Sequence, residues 1–317
     1  MSEHYGKEEE NMIYKIEQEI EKVLMGKKEQ IRLILCAWLA GGHILLEDIP
    51  GVGKTTLAVA MCKTVGGTYQ RVQFTPEILP SDIVGYVSFR PNTGEMIYEE
   101  GAVFCNLFLA DELNRASGKT QAALLEAMEE RQVTVEKKTR QLPKAFCVIA
   151  TQNPYGAVGT QMLPQSQLDR FMLKLSLGYP DKESQMEILK AKAKGNPMEQ
   201  IKTVCTVEEL AQMQQQIQKI EVHDSVMAYM IELAEKTRKH ENVEIGVSPR
   251  GVWSLFQMSR AHAFMEQRNY VIPNDVAAVF GAVCGHRIIV KEDGFERKNE
   301  DIMEEVLRSV PVPKIKG

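Results

Sequence analysis

Residues 48–56 (Asp-Ile-Pro-Gly-Val-Gly-Lys-Thr-Thr) combine glycines, a lysine and threonines in one short turn between an apolar run and a helix-like stretch. Gly51 and Gly53 lack Cβ atoms, so backbone N–H groups can curl around an anion at the start of the helix. Lys54 is placed to contact β- and γ-phosphates, and Thr55 to ligate Mg²⁺. The turn therefore predicts a phosphate-binding loop that contacts a nucleotide through Pro50, Gly51, Val52, Gly53, Lys54, Thr55 and Thr56. The first glycine of the usual pattern is here Asp48.

An acidic pair, Asp111 and Glu112, ends the apolar run that starts at Leu107. A carboxylate there can hold Mg²⁺ against phosphates, which fits Asp111. Glu112 can polarise a water for in-line attack on the γ-phosphate. Asn153 lies just beyond a second apolar run and can sense the γ-phosphate, since ligand groups gather at the carboxyl ends of parallel strands. The alternative for the acidic pair is an ordinary solvated strand end, and the alternative for Asn153 is a turn-forming residue before proline. The order of these motifs after the phosphate loop favours a role of both in ATP hydrolysis.

Three arginines could add positive charge to such a site. Arg170 could reach the γ-phosphate of a neighbouring subunit, a role worth about 10³ to 10⁵ in rate in known systems. The alternative is a surface ion pair between Asp169 and a neighbouring residue. Arg250 follows Ser-Pro at a predicted helix start, where the simpler reading is a helix cap. Arg115 could be a third cation of the site or a structural ion-pair residue, and both readings stay open.

Hydrophobic periodicity predicts the elements that would position these residues. Helices are predicted at residues 11–25, 29–39, 120–130, 207–220 and 225–239. Strands are predicted at residues 43–46 and 72–74, buried strands at 107–110 and 146–150, and hairpins at 86–99 and 133–142. After Tyr179-Pro180 polar-rich helical stretches dominate, which predicts an α/β domain over residues 1–180 and a helical one over 181–317.

Composition is that of a globular protein, with 44% hydrophobic and 26% charged residues and a net charge of −5. The charge gives no overall attraction to nucleic acid or anionic membrane. No segment approaches the roughly 18 apolar residues needed to span a bilayer, and the N-terminus does not read as a secretory signal. The six cysteines are far apart, as expected for buried apolar residues in a reducing cytoplasm, and a zinc site is not expected.

Several segments together resemble the MoxR family of AAA+ ATPases. The longest is residues 111–131, Asp-Glu-Leu-Asn-Arg-Ala through Gln-Ala-Ala-Leu-Leu-Glu-Ala-Met-Glu-Glu-Arg. The others are 150–154 (Ala-Thr-Gln-Asn-Pro), Gly159-Thr160, Leu163-Pro164, 167–171 (Gln-Leu-Asp-Arg-Phe), Tyr179-Pro180 and 248–250 (Ser-Pro-Arg). They cover nearly the whole chain in the family's order. Asp48 fits as well, because the phosphate loop of this family often reads Glu-Asp-x-Pro-Gly-x-Gly-Lys-Thr.

The resemblance implies an α/β AAA+ core with a parallel sheet flanked by helices, a smaller C-terminal α-helical lid, and a hexameric ring. It implies that Lys54 and Thr55 belong to Walker A, Asp111 and Glu112 to Walker B, and Asn153 to sensor 1. Arg170 matches the arginine-finger position and Arg250 the sensor 2 position, and Met25-Gly26 would lie near the adenine base. The hairpins would be a helix-2 insert (about residues 82–101) and a pre-sensor-1 insert (about 132–142).

Function is implied in the same way: a chaperone-like remodeller of protein complexes that uses ATP and Mg²⁺, often with a partner carrying a von Willebrand factor A domain. One alternative is a nucleic-acid motor, since Lys137, Lys138, Arg140 and Lys144 cluster around the second hairpin. No aromatic residues for base stacking are interleaved there, which disfavours that alternative. The other is a nucleotide-gated binding module without hydrolysis, against which Glu112 argues.

Overall fold

A computed structural model describes residues 2–153, 162–291 and 298–314, with side chains from Met12 onward. Pro154, Gly159 and Thr160, which contribute to the family resemblance, lie outside the described residues. Among the described helices, none is long and apolar enough to cross a membrane. The six cysteines are all buried and unbridged.

The centre of the fold is a five-stranded parallel sheet with the strand order β2-β5-β8-β1-β9. Its strands are β1 (Ile44–Glu47), β2 (Tyr69–Gln73), β5 (Leu107–Asp111), β8 (Cys147–Gln152) and β9 (Leu173–Leu175). The strand predicted at 72–74 starts earlier, at Tyr69, and β9 was not predicted. In the register of the central strands, Ile44 faces Ile149 and Leu107 faces Cys147.

Burial on both faces explains the unbroken apolar runs of the central strands. Successive residues of a strand point to opposite faces. In β1, Ile44 and Leu46 pack into one core and Leu45 into the other. In β5, Leu109 and Phe108 divide in the same way. Because both faces of the sheet are buried, every side chain of these runs is shielded from water. The apolar residues therefore do not alternate with polar ones.

Helices cover the sheet and connect its strands. Those of the first part of the chain are α1 (Ser2–Glu21), α2 (Lys28–Leu39), α3 (Lys54–Thr64), α4 (Pro80–Val84), α5 (Gly118–Glu130) and α6 (Gln165–Leu168). α1 ends four residues before the predicted end at residue 25. The helices predicted at 29–39 and 120–130 are confirmed as α2 and α5. Ser117 caps α5 by accepting a hydrogen bond from the backbone N–H of Thr120.

Two antiparallel hairpins project from this sheet domain, and both were predicted. The first joins β3 (Tyr86–Arg90) to β4 (Glu95–Glu99), and the second joins β6 (Gln132–Val135) to β7 (Lys138–Gln141). The hairpins contact each other, because the guanidinium carbon of Arg140 lies 3.6 Å from the centre of the Tyr98 ring.

The remaining part of the chain is mainly helical. Its helices are α7 (Lys182–Ala193), α8 (Val207–Ile217), α9 (Asp224–Lys239), α10 (Pro249–Met265), α11 (Pro273–Cys284) and α12 (Asn299–Ser309). The helices predicted at 207–220 and 225–239 are confirmed, although α8 ends three residues earlier. A short antiparallel pair, β10 (Val243–Ile245) with β11 (Ile289–Val290), was not predicted. The division of the chain at residue 180 stays a prediction.

Arg287 joins the two parts of the chain. It is buried, and its Nε donates to Asp169 Oδ1 at 2.8 Å. Its Nη2 donates to the carbonyl oxygen of Phe171 at 2.7 Å and to Ser254 Oγ at 3.1 Å. Because one guanidinium satisfies groups of both parts, the helical part is fixed against residues 169–171.

Candidate functional site

The glycine-rich turn of residues 48–56 leads from β1 into α3. Gly51 and Gly53 have φ values of +88° and +101°, a region that favours glycine, and Gly53 is the N-cap of α3. Within the described residues, the backbone N–H groups of residues 51–56 have no protein acceptor. These donors surround the N-terminus of α3, so the turn fits an anionic phosphate.

Lys54 lies among the acidic residues of the site. Its Nζ donates to the backbone carbonyl of Asp48 at 2.9 Å. Burial lowers the pKa of the Lys54 amine, and the negative charges of Asp111, Asp48 and Glu112 oppose that shift. The fold therefore brings together the lysine and the acidic pair, which are more than 50 residues apart in the sequence.

Asp48, which replaces a glycine of the usual pattern, has a structural role. Its side chain is 4% exposed. Oδ1 accepts hydrogen bonds from Ser176 Oγ at 2.6 Å and from the N–H of Gly178 at 3.0 Å. Oδ2 accepts from the N–H of Leu177 at 2.6 Å. The carboxylate thus ties the phosphate loop to the chain that follows β9.

Asp111 ends β5, and its two oxygens have different partners. Oδ1 accepts from Thr151 Oγ1 at 2.7 Å, and Oδ2 forms an ion pair with Arg71 Nη2 at 2.7 Å. Carboxylate and hydroxyl oxygens are ligands that Mg²⁺ accepts, usually few per site, with waters completing its shell. Asp111 and the hydroxyl of Thr55 therefore fit the metal that accompanies a bound nucleotide. Among the described residues, no cluster of three His, Cys, Asp or Glu competes as a metal site.

Glu112 has an unusual backbone conformation, with φ at +56° and ψ at +48°. Its N–H donates to Thr151 Oγ1 at 2.8 Å. The same hydroxyl donates to Asp111, so Thr151 fixes the backbone of one acidic residue and the carboxylate of the other. The Glu112 carboxylate forms an ion pair with Arg115 at 2.7 Å. Arg115 therefore pairs with the candidate base, and whether it acts as a cation of the site or as a structural residue stays a prediction.

Asn153 directly follows β8, at the same edge of the sheet as the phosphate loop and the acidic pair. β8 lies between β1 and β5, so Asn153 follows the strand that separates the two groups. The neighbouring Gln152 is anchored on the next strand, because its Nε2 donates to Glu47 at 2.6 Å. The position of Asn153 fits a γ-phosphate sensor.

A cavity of about 240 Å³ adjoins the phosphate loop, lined among others by Met25, Gly51, Thr56, Tyr179 and Ile188. Its mixed apolar and polar walls suit a planar base next to the phosphates. Gly26 lies between two lining residues, with φ at +72°, and a Cβ there would meet Ser184 Oγ at 2.2 Å. The space next to Gly26 is filled by α7, so its contact with a nucleotide stays a prediction.

Arg170 and Arg250 lie near the amino ends of the parallel strands. The phosphate loop of the same chain lies at the opposite edge, where the carboxyl ends of the strands meet. Both pair with Glu129, near the end of α5. α5 starts after β5 at the phosphate edge and has 13 residues, a length of about 20 Å. Its last turn contacts the beginning of β1, because His43 Nε2 donates to the carbonyl of Met128 at 2.9 Å. Neither arginine is therefore near Lys54 of its own chain.

Comparisons with known proteins agree with this geometry. The family model described as "ATPase family associated with various cellular activities (AAA)" matches residues 43–173, and that described as "AAA lid domain" matches residues 235–306. The chain is 36% identical over 308 residues to "Chaperone MoxR1" of Mycobacterium tuberculosis, which covers 94% of this chain and 81% of that protein. This chain belongs to the MoxR family of AAA+ ATPases.

Two further relatives extend along nearly the full chain. "Uncharacterized protein YeaC" of Bacillus subtilis is 42% identical over 304 residues, which is 95% of each protein. The crystal structure of an ATPase candidate from Cytophaga hutchinsonii superimposes with a TM-score of 0.91 at 35% identity, covering 99% of this chain and 98% of that one. The α/β fold with a C-terminal helical lid, expected from the resemblance, is confirmed.

Three residues that contact the predicted functional residues were not identified from the sequence: Arg71, Thr151 and Glu129. Thr151 lies inside the segment 150–154 that carries the family resemblance, and its place at the end of a buried strand was an available signal. Arg71 and Glu129 gave no signal of their own. Each is an ordinary charged residue until the fold brings its partner close.

Proposed function

We propose that this chain hydrolyses ATP with Mg²⁺ as a subunit of a hexameric ring that remodels protein complexes. The observation that carries the proposal is the distribution of charge over the two edges of the sheet. The phosphate loop, Asp111 and Glu112 occupy one edge, whereas Arg170 and Arg250 occupy the other. In a head-to-tail ring, the arginine edge of one subunit faces the phosphate edge of the next.

The proposed roles follow from the chemistry of each residue. Lys54 and the N–H groups of the loop bind the β- and γ-phosphates, and Thr55 and Asp111 hold Mg²⁺. Glu112 accepts a proton from the attacking water, which Asn153 orients. Arg170 from the neighbouring subunit neutralises the charge that develops on the γ-phosphate.

Mixing two inactive variants tests the shared site. Glu112→Gln removes the base, and Arg170→Ala removes the arginine, so each variant alone should lose at least about 100-fold in turnover. In an equal mixture, about one interface in four joins an intact Glu112 to an intact Arg170, and that share of activity should return. Arg308→Ala, an exposed arginine of α12 paired only with Glu304 among the described residues, is the control.

Two results would contradict the shared site. Unchanged turnover of assembled Arg170→Ala would exclude a role for Arg170 in a neighbour's site. Absence of any recovery in the mixture, with ring assembly verified by light scattering, would show that Glu112 and Arg170 act within one subunit.

The remodelling activity rests on family membership and on the name of the relative "Chaperone MoxR1". We place the protein in the cytoplasm, with a protein client and a partner carrying a von Willebrand factor A domain. Glu112→Gln should retain ATP and hold its client, so affinity capture with this variant, with and without ATP, tests the idea. ATP-dependent recovery of a protein containing such a domain supports it.

A nucleic-acid motor is the alternative outcome of that capture. Lys137 and Lys138 at the tip of the second hairpin are exposed, but Arg140 is engaged over the ring of Tyr98. Recovery of nucleic acid alone, with affinity that falls steeply as salt rises, would replace the remodelling proposal. ATP binding without turnover at any protein concentration would instead indicate a binding module.

A further inference from the structure

One carboxylate contacts both arginines of the arginine edge. Glu129 Oε2 lies 2.7 Å from Arg170 Nη1, and Glu129 Oε1 lies 2.9 Å from Arg250 Nη1. Each oxygen therefore holds one guanidinium. Arg170 Nη1 also donates to the carbonyl of Leu125 at 3.3 Å, one turn earlier on the same helix.

The two arginines come from distant parts of the chain, and a second carboxylate fixes their backbones together. Arg170 follows α6, whereas Arg250 is in the first turn of α10 in the lid. Asp169 Oδ2 accepts from Ser248 Oγ, the N-cap residue of α10, at 2.8 Å. The residue before Arg170 thus holds the start of the helix that carries Arg250.

The side chains remain accessible to another molecule. The side chains of Arg170, Arg250 and Glu129 are 33%, 39% and 38% exposed. A guanidinium has five N–H donors, and each arginine uses only Nη1 in its bonds to the described residues. The remaining donors can bind an anion while Nη1 stays on Glu129. Without that carboxylate, two neighbouring positive charges would repel each other.

We propose that Glu129 is a positioning residue that holds Arg170 and Arg250 as a convergent pair for the phosphates of a nucleotide on the neighbouring subunit. The inference rests on the proposed function, because it assigns a support to the arginines of that shared site. A pair held before assembly loses less side-chain freedom when it meets the nucleotide, and correct placement of charge is a large part of catalysis.

Glu129→Gln tests this role, with Glu130→Gln as the matched control. Glu130 is the next residue of α5 and is exposed. In assembled protein, Glu129→Gln should lower kcat about 10- to 100-fold, since a small misplacement of a catalytic group has an effect of that size. The KM for ATP and the concentration needed for assembly should not change. Glu130→Gln should behave as the unaltered protein.

Combining variants separates positioning from a structural role. In an Arg170→Ala, Arg250→Ala background, Glu129→Gln should cause no further loss of turnover, because the residues it positions are absent. A further loss in that background, or a lower melting temperature that explains the loss, would mean that Glu129 only stabilises the fold. Equal or higher turnover of Glu129→Gln alone would also overturn the proposal.

The result distinguishes this inference from the proposed function. If Arg170→Ala lowers turnover and Glu129→Gln does not, the shared site stands and the role of Glu129 is wrong. If Arg170→Ala leaves turnover unchanged, the shared site itself is wrong, and the role of Glu129 fails with it.

Discussion

Replacing Asp48 should destabilise the protein strongly, although the residue is next to a loop whose usual pattern has glycine at this position. The Asp48 carboxylate is buried and accepts three hydrogen bonds, from Ser176, Leu177 and Gly178. Both Asp48→Ala and Asp48→Gly remove these acceptors. The glycine variant matches the usual phosphate-loop pattern. If it is as unstable as the alanine variant, the hydrogen bonds of Asp48, and not agreement with the pattern, determine stability at this position.

The expected size follows from the donors that lose their partner. The Ser176 hydroxyl can rotate toward another acceptor, but the backbone N–H groups of Leu177 and Gly178 cannot. A buried N–H left without a partner costs about 1–3 kcal/mol, and bonds to a charged acceptor lie in the upper part of that range. Either variant should therefore lose about 3–5 kcal/mol of the free energy of unfolding. That is a large share of the roughly 5–15 kcal/mol of a typical domain.

Urea denaturation followed by tryptophan fluorescence measures this loss. Trp38 is 1% exposed and its Nε1 donates to the carbonyl of Ala145, so its emission reports on the core. Asp301→Ala, an exposed aspartate of α12, is the control and should change stability by no more than about 0.5 kcal/mol. A loss below about 1 kcal/mol for both Asp48 variants would refute the assigned role of the carboxylate.

Three further predictions concern the site and the core. Glu112→Gln should bind ATP with unchanged affinity but turn over about 10² to 10⁴ times more slowly, as measured by equilibrium binding and phosphate release. Thr151→Val removes the hydroxyl that bridges Asp111 and the Glu112 backbone, and should lower kcat about tenfold with little change in KM. Burial lowers the pKa of His43 to about 4, below the roughly 6.5 of an unfolded histidine, so the unfolded chain binds more protons between these values. The free energy of unfolding should therefore decrease as the pH is lowered through this window, by about 2 kcal/mol from pH 7 to pH 5. His43→Gln should remove this part of the pH dependence, as measured by urea denaturation at each pH.

The sheet could be predicted where the physical signal is local. β5 and β8 are buried on both faces, so unbroken apolar runs mark them in the sequence. β9 has only three residues, Leu-Lys-Leu, and the charged middle residue hides it. β10 has three residues and β11 only two, and they pair although 43 residues separate the end of one from the start of the other. Short strands depend on tertiary contacts more than on their own sequence.

The candidate site divides in the same way. The loop of residues 48–56 and the Asp111-Glu112 pair are local motifs, because one backbone turn or one strand end sets their geometry. Arg71 could not be found, since its partner is 40 residues away. Pairing of β2 with β5 places Gln73 opposite Asp111, and Arg71 projects from the same face of β2 two residues earlier. Only the register of the sheet reveals that neighbour.

The contact between core and lid bears on how the subunit can move. Arg287 is a buried charge paired with Asp169, and it also donates to backbone carbonyls of residues 169, 171 and 172. A movement that opened this contact would have to break the ion pair together with the hydrogen bonds to these carbonyls. The start of α10 is fixed to the same aspartate through Ser248. A lid movement that opened this contact would therefore also release Arg250 from Arg170. The arrangement favours a lid that moves together with residues 169–171, so that the arginine pair held by Glu129 stays intact.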